Sequence, residues 1–422
     1  MSCNNISNCN NKKCGCDFNV KTVGLCDVSK LNIDGKVTSD LNWTEVSIPE
    51  ILKIPPQKPD IEGIDQVYAS ICLEDVKLIE TPYAYKRYPL YSFYTGVNAL
   101  TGTLPGLLTT LTGKITAIIT PQLDTVLING LNALVVALTP LSSVTGVSAL
   151  IDTVKSLIAQ INSLISNLLT DVAAVSDAVY NLLMAIASIP FSSCLICTAI
   201  DLLKTSLNTL YALVNSIPTL LSDIVTDLNN AAKAIGSTAV SAVVAIAVGV
   251  INTVIGVLGG ANGLVSAALA SVTAILTALQ PIDCVNNSIL VLIPNEEGTI
   301  LTGRKLVING VLKQKVVYTA EVPEQSVHSA CYSVPFISFI IPYAKFKNGS
   351  YHKDVDVWDA ESGAKKTKSG FLVGCTEPVL DLREEFVIDS CIEDIFIYAL
   401  NKREIFKNVT AFFKAYPKVT CK

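Results

Sequence analysis

The side chains in this chain that could do chemistry are above all cysteines. Thirteen of them stand in 422 residues, beside two histidines, His328 and His352. Five, Cys3, Cys9, Cys14, Cys16 and Cys26, crowd a polar arm over residues 1–26 made largely of Asn, Lys and Gly. Such an arm lacks the apolar residues to build a core of its own. Its spacing is not a paired C-x2-C set, so a metal site, a reduced unfolded tail and disulfides to neighbouring subunits all stand as readings. The third is preferred, because an odd cysteine total leaves at least one without an intrachain partner, and Cys421 is the next candidate for such a bond. Farther along, Cys194 and Cys197 form C-L-I-C. That spacing is redox-active beside a βα unit, but here the surroundings are apolar, so a structural thiol pair or bridge between the two is expected.

Little else resembles a reactive constellation. The run DVDVWDAE at 354–361 would put Asp354 and Asp356 on one face of a strand, but it lacks the loop glycine and terminal glutamate of a calcium hand. A solvated face is the expectation. No P-loop, GxSxG or dinucleotide fingerprint occurs. Catalysis needs a poised acid, base, nucleophile or metal, and none is assembled by spacing. No catalytic, cofactor or metal residue is therefore assigned, and an enzyme is not expected. A formal charge of -5 leaves no basic footprint for nucleic acid.

The elements that would carry these residues fall into contrasting blocks. Residues 27–88 alternate strand-like runs with Pro-rich turns. Residues 89–284 form an apolar insertion, in which 89–282 holds four Lys and seven Asp but no Arg or Glu. Residues 285–422 return to strand patterning. From Val311 to Val322, Leu312, Val316, Tyr318, Ala320 and Val322 share one parity, and Lys313, Lys315, Thr319 and Glu321 the other. That is the two-residue period of a sheet with one buried face, interrupted at Gln314.

Inside the insertion, Val154, Ile158, Ile161, Ile165, Leu168, Val172, Val175, Val179, Leu182 and Ile186 recur at steps of four and three, which predicts a helix over 154–186 with a heptad packing seam. Further helices are expected at 200–215 and 219–235, broken at Ile217-Pro218. Several short ones are expected over 97–150. Residues 237–258 and 264–279 form an uncharged pair around a Gly-rich turn. The first of that pair is long enough to cross a bilayer. Burial between subunits is preferred, because the apolar character runs through the whole insertion.

Several runs also resemble a known family. TGRKLVINGVLKQKVVYTA (302–320) and EQSVHSACYSVPFISFI (324–340) are similar to the core of the SPOCS domain of bacterial endospore coat, exosporium and morphogenesis proteins. TEVSIPEILKIPPQKPDIEGID (44–65) and ICLEDVKLIETP (71–82) resemble its opening, and CIEDIFIYALNKREIFKNVTAFFKA (391–415) its closing strands. The large insertion departs from the family pattern. The resemblance implies that His328, within EQSVHSA, supports a turn rather than catalysis.

The expected architecture is α+β: a discontinuous SPOCS-like β domain (27–88 and 285–422) carrying an inserted, mostly helical apolar domain, preceded by a Cys-rich arm. The resemblance implies a structural spore-surface protein, in coat or exosporium, that assembles with itself and with other coat proteins. Cytosolic thiols stay reduced. A chain made in the mother-cell cytoplasm and exposed to oxidising surroundings on lysis would reconcile that with structural disulfides. The opening MSCNNISNCNNKKCGC has no apolar core behind a basic start, so no signal peptide is expected. A membrane-inserting or pore-forming protein using 234–282, and a non-polymerising coat adaptor, are the alternatives.

Overall fold

A computed structural model describes residues 42–418. The chain is α+β, and its contacts divide it into two units. Among the described residues, one comprises 42–86, Leu290–Tyr351 and 377–418; the other comprises Arg87–Ile289 and His352–Thr376.

The first unit is built on two antiparallel three-stranded sheets. One runs β1 (Trp43–Lys53), β10 (Glu404–Pro417), β9 (Phe386–Ala399); the other runs β2 (Ile61–Tyr83), β5 (Thr302–Ala320), β6 (Val327–Ile340). The alternation read over 311–322 extends along β5, where every even-numbered position from Arg304 to Ala320 is buried. It is this regular because β5 is the central strand of its sheet, paired on both edges, and only one face meets the core. Leu306, Ile308 and Leu312 of β5 and Phe336 of β6 pack against Ile48 of β1 and Val409 and Phe413 of β10. The Phe336 and Phe413 rings stack with centroids 5.4 Å apart. A second cluster, Leu52, Ile54, Ile61, Val316, Tyr318, Ala330 and Ile405, fills the other end. The strand enters through Gly303, whose φ of 79° and whose closeness to Tyr83 and Leu380 leave no room for a Cβ. Arg304 follows, buried, with Nη1 2.8 Å from Glu384 Oε2 and Nε donating to the Tyr343 carbonyl at 3.0 Å.

The second unit is mainly helical: α1 (Tyr91–Ala117), a π-helical stretch (Ile118–Ile128), α2 (Asn129–Leu138), α3 (Val147–Ala187), α4 (Ser193–Ile235), α5 (Thr238–Leu258) and α6 (Leu264–Leu279). One apolar core runs from Phe93 to Ile282. Two expectations about this region are corrected. The chain from Tyr91 to Leu138 is continuously helical and passes through Pro105 and Pro121, so 97–150 is not several short helices. Pro218 likewise does not break α4. An interior proline costs about 3 kcal/mol. Val214, Ile217, Leu221 and Ile224 around it are all buried in one stripe, and each contributes about 1.5–3 kcal/mol. Burial outweighs the lost N–H.

The expected block 285–422 is also corrected. His352–Thr376 belongs with the helices rather than with the sandwich. It forms most of the hairpin β7 (Ser350–Asp359) and β8 (Ala364–Val373), in a sheet ordered β3 (Tyr85–Pro89), β4 (Ser288–Leu292), β8, β7. Trp358 of β7 stacks on Tyr94 of α1 at 3.8 Å between centroids, a contact between residues far apart in sequence that no local pattern announces.

Candidate cross-linking and packing sites

Cys3, Cys9, Cys14, Cys16, Cys26 and Cys421 lie outside the described residues. The C-L-I-C pair is described, and it is not bridged to itself. Cys197 is joined instead to Cys284, 87 residues away, with Cα atoms 5.6 Å apart. Cys194 remains a thiol and hydrogen-bonds Cys375. Ser192 caps α4 by accepting from the Leu195 N–H at 3.4 Å, so both cysteines fall in the helix's opening turns.

The four sulfurs gather around one buried amide. Asn287 Nδ2 lies 3.0 Å from Cys375 Sγ and 3.5 Å from Cys197 Sγ, and donates to the Cys284 carbonyl at 3.1 Å. Ser288 Oγ donates to Asn287 Oδ1 at 2.9 Å. The Arg87 guanidinium donates to Ser288 Oγ at 3.1 Å and to the Gly374 carbonyl. Burial, reinforced by Cys375, pushes the Cys194 thiol up to about 11. Thiolate is therefore scarce at neutral pH, and Cys194 is a weak nucleophile there. This is the chemistry of a structural staple. Sequence spacing could not find it, because Cys284, Asn287 and Cys375 lie far along the chain from Cys194. Cys391 is also disulfide-bonded.

The heptad seam of α3 is present, with one of its positions displaced. Val154, Ile161, Leu168, Val175, Val179, Leu182 and Ile186 are buried, whereas Ile158, Ile165 and Val172 are only half-buried. Leu157, Leu164 and Ala178 occupy the buried sites one residue earlier. Asp171 holds the equivalent position in that series, and burial raises its carboxyl pKa. Leu and Ile alternatives at adjacent positions cannot be ranked by periodicity; the facing stripe of α4 ranks them. That stripe is Ile196, Ile200, Leu203, Leu207, Leu210, Val214, Ile217, Leu221, Ile224 and Leu228.

The outward faces of the helices are unusual for a surface. Val136, Leu169, Tyr180, Met184, Leu195, Leu202 and Ile246 are exposed. Threonines between them bond to their own helix, as Thr153 does to the Ala149 carbonyl, Thr170 to Ser166, Thr226 to Ser222 and Thr253 to Gly249, each at 2.9 Å. A hydroxyl satisfied in this way costs little when water is removed. These faces can be covered at small desolvation cost.

Of the remaining expected residues, His328 Nε2 lies 3.0 Å from Ser326 Oγ, and its ring stacks 6.0 Å from Tyr318. Two carboxylates of DVDVWDAE meet lysines of the adjacent strand: Asp356 lies 2.7 Å from Lys365, and Asp359 pairs with Lys366. No family model, curated protein or solved structure matches this chain.

Proposed function

We propose that this protein is a structural subunit of the bacterial endospore surface, in coat or exosporium, that assembles with copies of itself into a layer or fibre reinforced by disulfides. The family reading rests on the runs quoted above, whose first member coincides with β5. The observation that carries self-assembly is the outer surface of the helices, where exposed Leu, Ile, Val, Met and Tyr alternate with self-satisfied threonines and almost no charge. Helices that expose so many large apolar side chains and so little charge fit surfaces that are covered in the working state. Repeated use of one such surface generates a closed or open lattice. The Cys-rich arm then supplies covalent links between subunits, with Cys3, Cys9, Cys14 and Cys16 foremost and Cys421 in reserve.

The test is electron microscopy of the purified full chain, with non-reducing gels of the same sample. Ordered arrays and a reductant-sensitive ladder are expected. A Cys3, Cys9, Cys14 and Cys16→Ser variant should give mostly monomer on the gel even where arrays persist. A protein that stays monodisperse and monomeric under oxidising conditions would favour the coat adaptor instead.

One observation favours a second reading. Three helical stretches, Tyr91–Leu141, Val147–Ala187 and Thr238–Leu258, are long and apolar enough to cross a membrane, and only about a third of each apolar window is buried. A membrane-inserting protein would use them so. Co-flotation with liposomes in the absence of detergent separates the two: binding supports insertion, and arrays formed without lipid support the structural reading.

A further inference from the structure

Between the two apolar clusters of the sandwich lies a polar rung. Gln314 stands at the middle of β5 and Lys407 in β10, the central strands of the two facing sheets, and both are 0% exposed. Glu50 of β1 is the cross-strand neighbour of Lys407. Its Oε2 lies 3.4 Å from Gln314 Nε2 and 3.6 Å from Lys407 Nζ. Neither buried group is fully satisfied: Gln314 Oε1 and Lys407 Nζ both lack a hydrogen-bond partner. A separation of 3.6 Å makes an ion pair but is too long for a hydrogen bond, and a buried ammonium without hydrogen bonds is costly. Facing sheets lie about 10 Å apart, a gap that one lysine and one glutamine side chain laid end to end can span.

We propose that Lys407 and Gln314 condense into an intramolecular isopeptide bond that covalently joins the two sheets, with Glu50 carrying the proton. The Lys407 Nζ amine attacks Gln314 Cδ, and a C–N bond forms as the carbonyl becomes tetrahedral. Glu50 takes the proton lost by Nζ and hands it to Gln314 Nε2. The Cδ–Nε2 bond then breaks and ammonia leaves. Nothing is oxidised or reduced, and no co-reactant enters. Glu50 is placed for this role because one carboxylate oxygen, Oε2, faces both the attacking and the departing nitrogen. The nucleophile is also available. Burial lowers the Lys407 ammonium to about 8, against the opposing pull of Glu50. About a tenth of it is therefore neutral amine at pH 7. The product is a neutral amide in the place of a buried cation that has no hydrogen bond. It would hold the sandwich together under reductants that open every disulfide.

The experiment is intact-mass measurement of the full-length chain after complete reduction and alkylation. The expected mass is about 17 Da below that of the fully alkylated sequence, the loss of one ammonia. A tryptic peptide joining the segments around Gln314 and Lys407 should accompany it. Lys407→Met and Gln314→Leu should each restore the full mass, and Glu50→Gln should do so while still unfolding cooperatively. Full mass in the wild-type chain, with ordinary tryptic cleavage after Lys407, overturns the proposal whatever the variants do. A cross-link that survives Glu50→Gln removes the proton-carrying role.

Discussion

Asp171 occupies a site in α3 that its neighbours along the seam, Leu164 and Ala178, give to apolar side chains. Burial raises its carboxyl pKa, so the folded state disfavours the charged form. The stabilising contribution is fully present below the unfolded carboxyl's value of about 4 and is lost as pH rises through the higher folded value. Asp171→Asn should therefore stabilise the chain at pH 7 and make little difference near pH 3.5. Urea midpoints of both proteins at the two pH values check this, and equal gains at both would contradict it. Cys197 and Cys284 are the other residues whose chemistry has a readable consequence. Closing a loop of 87 residues removes chain entropy worth up to about 4–5 kcal/mol from the unfolded state. The Cys197→Ser/Cys284→Ser double variant should lose about 2–5 kcal/mol in denaturant titrations. Both thiols must go, since a single Cys284→Ser change would leave Cys197 free beside Cys194.

Among the elements, α3 and α4 carry the sharpest expectation. Their stripes interlock along 41 and 43 residues, and the buried position of α3 is Leu164 while Ile165 lies at its margin. Leu164→Asp places a carboxylate in the apolar interface at a cost of about 3–5 kcal/mol. Ile165→Asp can turn its charge towards water and should cost less than half of that. The exposed Asn167→Asp should be neutral within about 0.5 kcal/mol. Thermal unfolding of the three variants orders them, and Ile165→Asp at least as damaging as Leu164→Asp would place the seam one residue later.

For the molecule as a whole, the chain crosses between its two units more often than a single insertion requires. Arg87–Ile289 and His352–Thr376 share one unit, so a sandwich freed of the helices must lose both segments. Replacing both with Gly/Ser linkers should leave a soluble β unit with one cooperative unfolding transition. Removing Arg87–Ile289 alone strands Trp358 without Tyr94 and should produce an aggregation-prone chain. Light scattering and tryptophan emission distinguish the two, and equal behaviour would show that the hairpin is indifferent to the helices.

What the sequence determined by itself is local and periodic. The two-residue alternation of β5 and the four-three steps of α3 are visible because one buried face imposes each on neighbouring residues. The turn from Gly259 to Gly263 and the abrupt loss of charge after residue 88 are visible as composition. Gln314 was visible too, as the break in the alternation over 311–322, but its reason was not. Glu50 and Lys407 come from strands that reach it only when the facing sheets close. Tertiary structure alone decided that Cys197 meets Cys284, that Leu164 rather than Ile165 faces inward, that Pro218 stays within a helix, and that His352–Thr376 leaves the sandwich. In each case the outcome depends on what packs opposite. A residue's own neighbours in the chain carry no record of that partner.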